Sequence, residues 1–71
     1  MYIIIELQTT KGQTGNIVQT KESRDEAMSV YHSILAAAAV SNVQYHTAIV
    51  MDERGQYLAR ECYEHSIEED N

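Results

Sequence analysis

Proline, tryptophan and phenylalanine are absent from this 71-residue chain, and cysteine occurs once, at Cys62. A single cysteine excludes an intrachain disulfide and fits a reducing cytosol. No low-complexity linker or internal repeat divides the chain, so one domain with one small core is expected, over residues 1–63, followed by an acidic, frayed tail over 64–71. Basic residues are scarce: Lys11, Lys21, Arg24, Arg54 and Arg60 stand scattered against eleven acids, for a net charge of −6. Without a basic stripe to neutralise phosphates, direct DNA or RNA binding is not expected. Long apolar runs are missing too. The start, MYIIIELQTT, holds an apolar stretch far short of the ~20 residues that span a bilayer, and no basic segment precedes it. It reads as a strand, with no membrane association.

What the chain does have is alternation and turn chemistry. Residues 2–9 are rich in β-branched types, with Ile3, Ile5 and Leu7 on one face and Tyr2, Ile4, Glu6 and Gln8 on the other. The segment KGQTGN, residues 11–16, supplies turn residues, and a short strand over 16–20 closes a hairpin. Ser23 followed by Glu26 matches a capping box and starts a helix that runs to about residue 40. Its sheet-facing stripe is Ala27, Val30, Tyr31, Ile34, Ala37 and Ala38, and Ser41-Asn42 ends it, with Asn42 suited to a left-handed cap. Residues 43–51 form a third strand. Asp52-Glu53-Arg54-Gly55 fits a type I turn followed by a left-handed glycine, and residues 56–63 form a fourth strand. The expected fold class is α+β: ββαββ, two antiparallel hairpins in one sheet with a single helix packed on one face.

One helix covers one sheet face, yet the strands are apolar on both. In the third strand Val43, Tyr45, Thr47, Ile49 and Met51 alternate with Gln44, His46, Ala48 and Val50, and neither set is polar. A half-solvated antiparallel sheet shows a cleaner alternation. So short a chain buries only roughly 60% of its unfolded surface, and self-association compensates for that. A homo-oligomer is therefore expected, with Ile4, Met28, Ala36, Ala39 and Val50 as its interface. The four consecutive alanines, Ala36 to Ala39, let the helix end approach a neighbouring element closely. The plainer alternative is a short sheet that leaves a few isoleucines and tyrosines exposed.

Candidate chemistry is thin. With Asp52 opposite Gln56, the register places His46 opposite Cys62, which reads first as a buried thiol beside a hydrogen-bonded histidine and otherwise as a thiolate–imidazole dyad or two zinc ligands. His65 would need a bend to join them, and no paired C-x-x-C or H-x-x-x-H spacing supports a metal, so no metal or other cofactor is expected. Tyr31, His32, His46 and Arg60 are the residue types that stack on a base or contact a phosphate, and with Cys62 they form the candidate ligand set. No nucleophile elbow, phosphate-binding glycine loop or locatable carboxylate pair is present, so an enzyme is not expected. The acidity itself reads as solubility plus a tail. The sharper reading, carboxylates imitating phosphates, is the less favoured one because the remaining acids share no face.

Taken together, MYIIIELQT, YHSILAAAAVS, the histidine of the next strand and ECYEH near the end resemble a family of uncharacterised proteins of about this length. Bacteriophages, prophages and mobile elements of Gram-positive bacteria encode them. YHSILAAAAVS is the most specific part. The resemblance implies context and not a residue's role: a phage accessory product in the cytoplasm of an infected or lysogenic bacterium. From that context follow two expectations. One is a homo-oligomeric binding module that sequesters a nucleotide immune signal or blocks a host defence protein. The other is an assembly protein of the phage particle with no ligand.

Overall fold

The computed structural model describes residues 1–66. Its elements run β1 (Tyr2–Thr10), β2 (Gln13–Lys21), α1 (Arg24–Ala39), β3 (Tyr45–Asp52) and β4 (Tyr57–Glu64). The strands form one antiparallel sheet in the order β2-β1-β3-β4, with α1 on one face, so the ββαββ architecture expected from the sequence is the one observed. The two hairpins meet along β1 and β3, which pair over nearly their full length from Tyr2↔Asp52 to Thr9↔Tyr45.

The first turn is tighter than the six residues that the glycines suggest. Thr10 pairs with Gln13, which leaves a two-residue loop. Lys11 (φ 53°) and Gly12 (φ 79°) are both left-handed there, the requirement of a type I′ turn whose twist matches the strands. Gly15 therefore lies inside β2, which begins three residues earlier than its β-branched content indicates. The second turn follows expectation. Gly55 is left-handed at φ 83°, and Asp52 Oδ1 accepts from the amides of Arg54 at 2.8 Å and Gln56 at 3.0 Å.

Helix α1 starts where Ser23 Oγ accepts from the Glu26 amide at 3.2 Å. Ala27, Tyr31, Ile34 and Ala38 are buried against the sheet. Ala37, expected on that stripe, is exposed, because α1 leaves β2 uncovered and Ala37 lines the groove between them with Gln19 and Val30. The helix end also departs from expectation. Lys11 is the one non-glycine residue with positive φ among the described residues, so Asn42 caps nothing. Side chains satisfy the last turn instead: Ser41 Oγ donates to the Ala38 carbonyl at 3.2 Å, and His65 Nε2 donates to the same oxygen at 2.9 Å.

The core is small: Ile4, Ala27, Tyr31, Ile34, Ala48 and Val50, with Leu58, Ala59 and Met28 packed at its margin. Ile4 and Val50 are fully buried on the helix side, facing each other across β1 and β3. They hold the fold together and are closed to a docking partner, so the interface expected at these two residues has no surface there. Met28 is half-buried against the same core, while Ala36 and Ala39 are exposed.

Of the tail expected over 64–71, Glu64 closes β4 and the His65 amide donates to the Gln44 carbonyl at 2.8 Å. Residues 67–71 lie outside the described residues.

Candidate functional site

A single extra residue decides which side chains meet. β4 carries a bulge: Met51 pairs with Tyr57 but Val50 pairs with Ala59, so Leu58 has no partner of its own. From there the register runs His46↔Tyr63 and Thr47↔Cys62, one step off the uninterrupted register that places His46 opposite Cys62. Because strand side chains alternate, one step moves a residue to the other face. His46 thus points under α1 and Cys62 points away from it, exposed, and the histidine–cysteine pair does not form.

What His46 meets instead is a polar chain that the spacing did not disclose. Its Nε2–H donates to Glu6 Oε2 at 2.6 Å, Gln8 Nε2 donates to the same oxygen at 2.8 Å, and Ser41 Oγ lies 3.0 Å from Nδ1. His46 is 4% exposed, the one buried polar or charged residue among those described. The chain ties together β1 through Glu6, β3 through His46 and the end of α1 through Ser41. With a neutral ring, the Ser41 hydroxyl donates to Nδ1. With a charged ring, Nδ1–H donates to Oγ and the hydroxyl turns to the Ala38 carbonyl. Either way every polar atom keeps a partner, and no buried side-chain nitrogen or oxygen among the described residues is left without one.

A hydroxyl, an imidazole and a carboxylate in series are also the parts of a hydrolytic triad, but the surroundings have the wrong sign for one. Ser41 Oγ sits beside a carbonyl oxygen at the C-terminal, electronegative end of α1. An acyl-transfer intermediate places negative charge next to the nucleophile and needs N–H donors there. The chain is a clasp that fixes the helix end to the two central strands.

The remaining candidate residues do not converge. Tyr31 is buried within the core, and its phenol is raised above the ordinary tyrosine range by burial first, then by the charge of Glu61 and by Tyr63. His32 is exposed on α1 and meets the Tyr31 ring edge-on at 5.3 Å. Arg60 lies on the open sheet face, its guanidinium 5.5 Å from the centre of the Tyr57 ring. Arg60 and Cys62 do share a shallow recess of about 260 Å³ with Thr47 and Glu61. The set expected to hold a ligand is therefore divided between the core, the outer side of the helix and the opposite side of the sheet.

That opposite side is the larger feature. Ile3, Ile5 and Leu7 of β1 lie beside Met51, Ile49 and Thr47 of β3, flanked by Val18 of β2 and Tyr57 of β4. No element of the described chain covers this face: α1, the one helix, packs on the other. Val18 and Tyr57 are 56% and 60% exposed. The alternation of β1 had already separated these residues from Ile4 and Glu6; the open question was which set the helix takes.

Compared with known proteins, the chain matches no family model, no curated protein and no solved structure. No helix among the described residues is long and apolar enough to cross a membrane.

Proposed function

We propose that this chain is a binding module without catalytic chemistry of its own, that it works as a homo-oligomer, and that a second copy covers the open sheet face. The supporting observation is the apolar row Ile3, Ile5, Leu7, Ile49 and Met51, which no element among the described residues covers. Four strands about 4.8 Å apart and about eight residues long at 3.4 Å per residue give roughly 500 Å² in projection; side-chain relief brings this toward the ~800 Å² per partner of a standard interface. A twofold axis in that plane makes the patch complementary to itself.

The phage context drawn from the sequence resemblance gives the module a target, a protein of the host's antiviral defence that it blocks. Capture of a nucleotide signal draws less support, because Tyr31 and His46 are buried and Arg60 lies across the sheet from both. The test is the native mass of the purified protein, alone and after incubation with nucleotides extracted from cells. Self-association that Ile49→Asp abolishes is the expected result. A wild-type chain that stays monomeric at tens of micromolar overturns the reading, and a bound nucleotide restores the sequestering form of it.

A further inference from the structure

The two edges of the sheet are guarded unequally. Exposed edge strands invite pairing with another chain, and proteins blunt them with charges, proline or bulges. β4 has all the blunting this chain can offer: Arg60, Glu61 and Glu64 along its length and the bulge at Leu58. β2, with the sequence QTGNIVQTK, has none until Lys21 at its end. Its pairing with β1 is unbroken over nine residues, and eight of those nine are exposed, Ile17 and Val18 by 52% and 56%.

The hairpin fixes which backbone groups of β2 are free. A two-residue type I′ loop makes Thr10 and Gln13 a hydrogen-bonded pair, so Gln13, Gly15, Ile17, Gln19 and Lys21 direct their N–H and C=O groups at β1. Thr14, Asn16, Val18 and Thr20 direct theirs outward. The side chains agree with this assignment: Thr9 and Thr14, in the closer, non-bonded type of pair, hydrogen-bond through their hydroxyls at 2.8 Å.

We infer that β2 is the site of a second self-association contact, in which two copies pair their β2 strands antiparallel about a twofold axis at Ile17. This register gives every outward group a partner: Asn16 pairs with Val18 and Thr14 with Thr20, each twice. Shifting it by two residues in either direction leaves Thr14 or Thr20 without one. It stacks exposed Ile17 on Ile17, brings like threonines together as cross-strand pairs, and sets no like charges opposite each other. Past the strand ends, the hairpin tip with Lys11 of one copy comes to Glu22 of the other, an opposite-charge approach made twice. The product is one continuous eight-stranded sheet, with both open faces on the same side.

This contact deepens the homo-oligomer reading but uses a different surface, so the two can be separated. In a Cys62→Ser background, Ile17→Cys places two thiols across the axis. Non-bonded antiparallel pairs have Cα atoms about 4.5 Å apart, within the ~4.4–6.8 Å of disulfides. Mild oxidation is expected to form a covalent dimer at least tenfold faster from Ile17→Cys than from Gln13→Cys, whose two copies lie far from the axis. Adding Val18→Pro removes an outward N–H that β1 does not use; the strand content by circular dichroism stays, and the cross-linking rate falls to that of Gln13→Cys. Adding Ile49→Asp, which attacks the open face, leaves the cross-link intact. Equal rates at positions 13 and 17 overturn the edge contact. If the wild-type mass is oligomeric and falls with Ile49→Asp in that case, the face contact survives without it; a monomer with no cross-link overturns both.

Discussion

The two faces of this sheet are built from nearly the same residue types and end in different situations. Under α1, Ile4, Ala48 and Val50 are wholly buried, and even the polar residues Glu6, Gln8 and His46 are drawn into a chain of hydrogen bonds. On the other side Ile3, Ile5, Leu7, Ile49 and Met51 keep partial contact with water. The helix-covered face carries more polar chemistry than the uncovered one. That inversion shows where the chain invests its specificity: in seating α1, through a clasp of matched donors and acceptors. It leaves the other face a plain apolar surface, suited to a partner that brings the same surface.

The comparison breaks most severely at the covered face. Ile4→Ala opens a cavity in a core with few other large side chains and is expected to cost about 2–5 kcal/mol of a total stability near 5–10 kcal/mol; urea titration of the variant reads the loss directly. His46→Ala removes the centre of the clasp and leaves Glu6 with Gln8 alone and Ser41 with the Ala38 carbonyl alone, an expected cost of about 1–3 kcal/mol. Cys62→Ala, at the residue an uninterrupted register would pair with His46, is expected to shift stability by less than about 0.5 kcal/mol. Equal losses for these two variants would mean that the bulged register is wrong.

At the uncovered face the effect is on assembly. The midpoint of thermal unfolding is expected to rise with protein concentration for the wild type and to become independent of it for Ile49→Asp, since a partner that binds only the folded state stabilises by mass action. Ala36→Glu on the exposed side of α1 should leave that concentration dependence in place.

The smallest expected effects come from two groups that titrate far apart. The Asp52 carboxyl is held below its ordinary range chiefly by the Gln56 amide, with the Arg54 amide and guanidinium adding to it. The stability it contributes is complete above the ordinary carboxylate range near pH ~4 and lost as pH falls through the lower folded-state value. Asp52→Asn flattens that acid limb in a pH series of denaturant midpoints. Tyr31 runs the other way. Its raised phenol contributes stability below pH ~10 that disappears as pH climbs through the folded-state value, and Tyr31→Phe removes the alkaline decline.

Much of the fold was legible because local and global signals agree. The isoleucine alternation of β1, the Ser23 cap and the Asp52–Gly55 turn each specify their element without help from the rest. The clasp was half legible. Glu6 falls on the same face of β1 as Ile4, and His46 on the same face of β3 as Val50, so two polar residues stood in core rows. Pairing β1 with β3 as central neighbours, a long-range fact, is what brings them together. Asn42 misled because Ser41 and His65 finish the helix from the side. The bulge was not legible at all: Leu58 and Ala59 both pack against the core, so either one satisfies the inward position.

That ambiguity at Leu58 gives the molecule an unusual sensitivity to counting. Everything beyond it in β4, from Arg60 to Glu64, owes its side of the sheet to one surplus residue. A change that flattened the bulge with the chain length kept would slide every later pair by one and set Cys62 opposite His46, whereas deleting Leu58 would remove the bulge and leave Cys62 opposite Thr47. Whether the thiol is exposed or faces the imidazole is thus decided by the shape of the backbone at one residue, with no amino acid altered in kind.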